Sequence, residues 1–254
     1  MDEFDTYARF YDLDYGERDD DLLMIEQFAA RCGSPLLELA CGTGRALLPL
    51  ARQGYRITGV DVSPAMLALA QRKVAAEGLA EHVTLVQADM RDLDLGTRFN
   101  LAFVVANSFM HLLSIDDQLA ALARIRAHLN PGGLLVLDLF NPDLNRLLDS
   151  EGRFVLEKVM TEPETGQRVM KFFSRQADQG QQILRVTFVV DEVDGDGGVR
   201  RTLFPISLRY FFRYELELLL RHAGFVVEAI YGSHDLDEFS GDSDQLIAVA
   251  RRPD

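Results

Sequence analysis

Hydrophobic positions along this chain keep two rhythms, and the switch between them marks its organisation. In residues 20–32, Leu22, Leu23, Ile25, Phe28 and Ala29 recur at helical spacing, which predicts a helix feeding a first strand at 35–40. A Cys41-Gly-Thr-Gly44 turn follows, then a helix over 45–53 that Gly54 closes at the C′ position. Residues 55–60 read as a second strand, and Ser63-Pro64 puts a capping serine before a proline at the first position of a helix running to about residue 77. Two more strands are predicted at 82–87 and 99–106, both placed centrally in the sheet, the second almost wholly apolar as burial on both faces requires. Ser114 opens the next helix with Asp117 at N3, Asn130-Pro-Gly-Gly133 ends it, and 134–140 forms a fifth strand. Short apolar runs alternating with amphipathic helices argue for parallel βαβ units in a doubly wound α/β sheet.

After Asn141-Pro142 the rhythm shortens. Residues 154–159, 168–175, 183–190 and 200–208 alternate polar and apolar positions with turn residues between them, which predicts an inserted antiparallel β-sheet. The acidic stretch from Asp191 to Gly198 resembles a calcium loop at first sight, yet the glycine such a loop needs at its sixth position is missing, so a solvated hairpin turn is expected. Helical spacing returns at 213–223, Gly224 stops it, and strands at 225–231 and 246–250 complete the doubly wound unit. The expected division is a helical lid over 1–34, a core over 35–141 and 212–254, and the inserted sheet over 142–211, serving as a substrate cover or dimer surface.

Composition narrows the function classes. The chain has 254 residues, 48% hydrophobic and 26% charged, enough to bury a core, which excludes disorder as its main state. Its 40 acidic residues against 26 basic ones give a net charge of −14, a field that repels a phosphate backbone, so nucleic acid is a disfavoured partner. The opening Met1-Asp-Glu-Phe-Asp5 lacks the basic flank and apolar run of a secretory signal, so a cytoplasmic location is expected. No apolar run approaches the roughly 20 residues of a membrane helix. The only cysteines, Cys32 and Cys41, are too few for a disulfide framework or a cysteine zinc site, and no cluster with metal-ligand spacing is evident, so metal independence is the default. Cys41 is read as a small loop filler.

Chemistry enters at the first turn. A strand followed by Gly42-x-Gly44 lets backbone approach a ligand closely, because glycine has no Cβ. Leu47 stands where the dinucleotide fingerprint needs its third glycine, which argues against a nicotinamide cofactor. Asp61 ends the second strand nineteen residues after Gly42, where a carboxylate can accept both hydroxyls of a ribose; the alternative is plain electrostatics at a helix start. Asp89 sits at the carboxyl end of the third strand and would suit an adenine amine.

Taken together, Leu36-Leu-Glu-Leu-Ala-Cys-Gly-Thr-Gly44, Val60-Asp61 and Ala88-Asp89 closely resemble the class I S-adenosylmethionine-dependent methyltransferases over roughly residues 35–140. The resemblance implies a Rossmann-like seven-stranded sheet whose last strand is antiparallel, with S-adenosyl-L-methionine as cofactor. It implies that Glu38, Ala40 and Gly42 surround the methionine portion, that Asp61 holds ribose, that Met66 and Met90 pack near adenine, and that Asp89 binds its amine. Ala106-Asn107 falls beside the sulfonium, and Gly44, Val62 and Ala88 complete the implied cofactor set.

Tyr7, Tyr11 and Tyr15 recur every four residues and share a helical face, either as a core-facing stripe or as a lid whose rings favour a sulfonium and exclude water. The Tyr7-Ala-Arg-Phe-Tyr-Asp12 stretch resembles the lid of small-molecule members such as deoxysugar amine methyltransferases, with Tyr7 and Tyr15 on the cofactor and Tyr11 on the substrate. Methyl transfer is an in-line displacement, so holding donor and acceptor in line supplies most of the catalysis. His111, four residues past Asn107, is the candidate general base for a nitrogen or oxygen acceptor; His82, His128, His222 and His234 are read as structural. Phe140, Asn141, Arg209 and Tyr210 are candidate substrate contacts, and an arginine there would favour an anionic acceptor such as a nucleotide-linked sugar. The expected activity is methylation of a small molecule. An RNA methyltransferase and a non-catalytic S-adenosylmethionine-binding regulator are the alternatives, and a homodimer through the insertion is compatible with the pattern.

Overall fold

A computed structural model describes residues 3–16, 19–143 and 152–254. Residues 1, 2, 17 and 18 of the expected lid and 144–151 of the expected insertion lie outside the described residues. Two helices, α1 (Glu3–Tyr15) and α2 (Asp20–Cys32), precede β1 (Leu36–Leu39). Next come α3 (Leu47–Arg52), β2 (Ile57–Asp61), α4 (Pro64–Ala76), β3 (Val83–Gln87) and β4 (Phe99–Val104). They are followed by α5 (Ile115–His128) and β5 (Leu129–Phe140). The four strands β6 (Val155–Thr161), β7 (Arg168–Asp178), β8 (Ile183–Val193) and β9 (Val199–Arg209) form a second sheet. Then α6 (Arg213–His222), β10 (Val226–Tyr231) and β11 (Gln245–Arg251) return to the first.

That first sheet has seven strands in the order β10-β11-β5-β4-β1-β2-β3, with β11 antiparallel to both its neighbours; the second is β6-β7-β8-β9, antiparallel throughout. The expected α/β architecture with an inserted antiparallel sheet is what the chain adopts. One placement needs correction: β3 is an edge strand, not a central one, and only Val83 of its five residues is buried. Central β4 and β5 carry Leu101, Phe103, Leu135 and Leu137 with no exposed surface. Truncating such a side chain costs about 2–5 kcal/mol.

Local signals explain most element ends. The Ser63 hydroxyl accepts the Met66 N–H at 3.1 Å and the Ser114 hydroxyl the Asp117 N–H at 3.0 Å, caps worth about 1 kcal/mol each. The 45–53 helix starts two residues late, at Leu47, because 42–46 forms the ligand-facing turn. β4 stops at Val104 rather than 106, since Ala106 turns left-handed at φ +54°. β5 begins at Leu129, taking in the Asn-Pro-Gly-Gly turn, because Gly132 donates to the carbonyl of Arg252 and Arg252 to that of Gly133.

Chain order reverses where β1 pairs with β2 on one side and β4 on the other, and a crevice opens beyond their carboxyl ends. Helix α1 bridges the two sheets there. Asp5 accepts the Ser63 hydroxyl at 2.7 Å and Asp12 the Lys73 ammonium at 2.7 Å, tying α1 to α4. On its other side Tyr7 stacks on Phe204 of β9 at 4.6 Å. No described helix is long and apolar enough to cross a membrane.

Candidate functional site

The turn after β1 is built on left-handed backbone: Ala40 at φ +56°, Gly42 at +54° and Gly44 at +83°. Glycine accepts this without strain, whereas Ala40 carries about 1–2 kcal/mol. Non-glycine residues held this way cluster at functional sites, and the neighbouring strand β4 ends likewise, with Ala106 at +54° and Asn107 at +65°. Asp61, at the end of β2 and 8% exposed, binds the first turn in place. Its Oδ2 accepts the Gly42 N–H at 2.8 Å and its Oδ1 the Ser63 N–H at 2.9 Å.

Beyond these strand ends lies a cavity of about 230 Å³. Ala40 and Gly42 line it from β1, Val60, Asp61 and Val62 from β2, Met66 from α4, and Ala88, Asp89, Met90 and Arg91 from the segment after β3. Ser108, His111 and Leu112 close it from the short 3-10 turn after β4, and α1 contributes Phe4 and Tyr11. A Cβ at Gly42 would sit 3.6 Å from Tyr11 Cζ, so that ring lies over the turn. Burial raises the Tyr11 phenol above its ordinary value, which keeps it protonated. His111 meets the Phe4 ring edge-on at 5.0 Å.

Charges around the cavity are arranged in pairs. Arg91 reaches Asp89 at 2.6 Å and Asp117 at 2.8 Å, and its hydrogen bonds hold the Asp89 carboxyl below the usual range. Behind the turn Arg45 pairs with buried Asp21 through Nη1 at 2.7 Å. Glu38, only 2% exposed, has one oxygen, Oε2, without a hydrogen-bond partner. Burial pushes its carboxyl well above the ordinary range; Arg45 opposes that shift, while Asp21 and Asp61 add to it. An orphaned buried acceptor beside a glycine turn, with an oriented carboxylate one strand away, fits a ligand that brings an ammonium and hydroxyl groups together.

Several expected contacts lie elsewhere. Tyr7 and Tyr15 do not reach the cavity: Tyr7 donates to Asp14 and packs on Phe204, and Tyr15 lies under the Lys171 ammonium at 5.2 Å. Their face of α1 meets the second sheet, whereas Tyr11 turns to the strand ends. Gly44 packs the turn against Leu48 and Ala70, where a Cβ would stand 3.5 and 3.7 Å away. Glu38, Ala106 and Asn107 are not among the residues that line the cavity. Phe140 donates its N–H to Asn107 Oδ1 at 2.6 Å, and Asn141 turns to the Ser243 carbonyl at 2.8 Å. Arg209 reaches Leu113 O and Glu215, both at 3.5 Å, and Tyr210 is core at 1% exposure. Phe140, Asn141, Arg209 and Tyr210, expected as substrate contacts, therefore do not line this cavity, and Arg209 supplies no argument for an anionic acceptor.

Sequence reasoning missed Phe4, Val60, Arg91, Ser108 and Leu112. Phe4 stands seven residues before Tyr11 and shares its helical face, a spacing that could have revealed it. Among the described residues no group of three His, Cys, Asp or Glu side chains is poised to hold a metal.

Known proteins share this arrangement. A methyltransferase domain model matches residues 36–133. The cypemycin N-terminal methyltransferase of a Streptomyces species is 29% identical over 225 residues, covering 87% of this chain and 84% of that one. The dTDP-3-amino-3,6-dideoxy-α-D-glucopyranose N,N-dimethyltransferase of Streptomyces fradiae is 33% identical over 138 residues, 52% of each chain, so the match spans about half of that relative. Among solved structures, the CcbJ methyltransferase of Streptomyces caelestis superposes with a TM-score of 0.83 at 29% identity, covering 100% of both chains. Fold, strand-end site and domain match together define a class I S-adenosylmethionine-dependent methyltransferase. Within that class the chain resembles the deoxysugar amine type, and S-adenosyl-L-methionine is its cofactor.

Proposed function

We propose that the protein methylates the nitrogen of a small-molecule amine. The observation that carries this is the charge at the cavity: Arg91, the one Lys or Arg lining it among the described residues, is offset by Asp89 and Asp117. Two carboxylates against one guanidinium attract an approaching ammonium and oppose a phosphate. The names of the Streptomyces species and Streptomyces fradiae relatives, an N-terminal and an N,N-dimethyl enzyme, agree with nitrogen as the acceptor atom.

In this reading Asp61, oriented by two backbone N–H groups, accepts the ribose hydroxyls, and Asp89 accepts the adenine amine between Val62, Met66, Ala88 and Met90. Glu38 receives the methionine ammonium over the Ala40–Gly42 turn, Ala106 and Asn107 flank the sulfur, and Tyr11 with Phe4 shuts out water. When bound, the cofactor would supply an electrophilic methyl on sulfonium: the acceptor nitrogen's lone pair would form the new C–N bond in line as the C–S bond breaks, its electrons leaving with the neutral thioether. His111 takes the proton that the acceptor ammonium must lose before its nitrogen can attack. The division of labour follows: residues 35–141 and 212–254 bind the cofactor, α1 acts as lid, and the four-stranded sheet covers the acceptor. A homodimer through the outer face of that sheet, which exposes Leu156, Val159 and Leu203, and a cytoplasmic location complete the proposal.

Calorimetric titration with S-adenosylmethionine and S-adenosylhomocysteine, followed by mass spectrometry of amines with and without phosphate groups, tests it. Binding of both ligands and a gain of one methyl mass on a phosphate-free amine are expected. Binding with no transfer to any amine would indicate a cofactor-binding regulator, and methylation confined to hydroxyls or to RNA would overturn the acceptor assignment.

A further inference from the structure

We propose that Asp138 and His234 are positioning residues for methyl transfer, holding the strained turn that presents Ser108 and His111 to the cavity; the inference rests on the role given to His111 above. Asp138 lies at the carboxyl end of β5, 2% exposed, in a strand stretch whose neighbours Val136, Leu137 and Leu139 are fully buried hydrophobics. A carboxylate is costly there unless its oxygens are used. Both are: Oδ2 accepts the Ala106 N–H at 3.2 Å, and Oδ1 accepts Nε2–H of His234 at 3.1 Å.

Those bonds reach the one place in the turn where the backbone is under strain. Ala106 and Asn107 are consecutive non-glycine residues in the left-handed region, a conformation that persists only where its surroundings over-determine it. Asp138 supplies that constraint twice, since its carbonyl also accepts the Asn107 N–H at 3.1 Å. Asn107 returns the tie by accepting the Phe140 N–H at 2.6 Å, so the turn after β4 is laced to the end of β5. From Asn107 the chain enters the Ser108–His111 turn directly, with the Met110 N–H on the Asn107 carbonyl at 2.9 Å. A shift at Ala106 therefore moves His111 within five residues.

His234 has no place at the cavity, and sequence reading assigned it a structural part. Its side chain, 11% exposed, comes from the connection between β10 and β11 and meets Asp138 Oδ1 at 3.1 Å. With Nε2 donating, the imidazole fixes which way the Asp138 carboxylate turns and leaves the other oxygen aimed at Ala106. This is an orienting partner one step removed from the reacting groups, the arrangement by which rigid sites hold geometry to fractions of an ångström.

The test compares His234→Phe, which keeps the ring but removes the donor, with His234→Gln, which restores an N–H at similar reach, and adds Asp138→Asn. Amide hydrogen exchange is followed by NMR with S-adenosylmethionine bound, and kcat, acceptor KM and cofactor Kd are measured on the same samples. In His234→Phe the Ala106 and Asn107 amides should exchange at least tenfold faster while Leu101 and Phe103 of β4 stay protected. kcat should fall about tenfold with KM and Kd within twofold, and His234→Gln should recover most of both effects. Unchanged exchange at Ala106, equal acceleration across β4 and β5, or loss of kcat that glutamine does not restore would each overturn the proposal. Should His234→Phe fail to fold, Asp138→Asn against His234→Gln gives the same comparison. If the wild-type chain methylates no amine, the reading of His111 fails by itself, and the exchange data still decide whether the pair holds the turn.

Discussion

The Gly42 N–H donates to Asp61 Oδ2 at 2.8 Å, so the glycine turn after β1 and the acid ending β2 form one mechanical unit. The Ser63 N–H on the other oxygen extends that unit to the start of α4. A carboxylate so oriented meets ribose hydroxyls without further loss of freedom. Asp61→Ala should weaken S-adenosylmethionine binding about a hundredfold or more, because hydrogen bonds to a charged acceptor are worth roughly 1.5–3 kcal/mol each. Calorimetry checks this, and affinity within threefold of wild type would remove Asp61 from the site.

Glu38 behaves oppositely with pH. Burial raises its folded-state pKa, so its contribution to stability is complete below the unfolded value near 4.3 and is lost as pH rises through the folded one. Glu38→Gln does not ionise and escapes that loss. Its melting temperature should match wild type near pH 4 and exceed it by a few degrees at pH 7, since about 1 kcal/mol moves the midpoint roughly 2–4 °C in a chain of this size. Cofactor affinity should meanwhile fall about tenfold or more, because a bound methionine ammonium would favour the ionised carboxylate, a charged partner that glutamine cannot become. A melting-temperature difference that does not grow with pH would show that Glu38 is not held protonated.

What the sequence made legible was local. Ser63-Pro64, Ser114, the Gly42 turn and the acids at 61 and 89 carry their chemistry within a few residues, and each stands where pattern and capping rules place it. Periodicity says which side chains share a face but not what covers it. Tyr7 and Tyr11 are both on the inner side of α1, yet one meets Phe204 and the other the turn at Gly42. For the same reason the edge place of β3 was invisible, because strand order comes from crossovers rather than composition. Asp138 and His234, 96 residues apart, leave no local signal that joins them.

Helix α1 is anchored by a buried charge. Lys171, 1% exposed, pairs with Asp14 and with Glu157 at 3.1 Å, and its ammonium stands 4.3 Å from the Phe188 ring. Burial works against the charged form, but Tyr15, Asp14 and Glu157 outweigh it and keep the pKa above the ordinary lysine value. Lys171→Met leaves the Asp14 carboxylate, 6% exposed, without that partner and should cost about 3–5 kcal/mol. Adding Asp14→Leu should recover most of the loss, and thermal or urea unfolding of the two variants reads both steps. Equal stability of Lys171→Met and wild type would show that the pair does not hold α1 to the sheet.

His111 lines the cavity, and in the proposed mechanism it takes the acceptor's proton. The turn that ends in it is fixed at Asn107, and Phe4 meets its ring edge-on at 5.0 Å, so the imidazole is held against the cavity rather than swinging into solvent. A positioned base contributes about 10²–10⁴-fold. His111→Ala should therefore lower kcat about a hundredfold, while S-adenosylmethionine affinity changes little, because in the proposed mechanism the imidazole acts on the acceptor rather than on the cofactor. The variant's residual rate should also depend on pH differently. With no base in the site, only acceptor that has already lost its proton can react, so the rate should rise about tenfold per pH unit until the amine's own pKa is reached. Wild type should level off earlier, since His111 accepts the proton within the complex. Parallel pH profiles for the two proteins would mean that the amine loses its proton before it binds, and His111 would then be a wall of the cavity rather than its base.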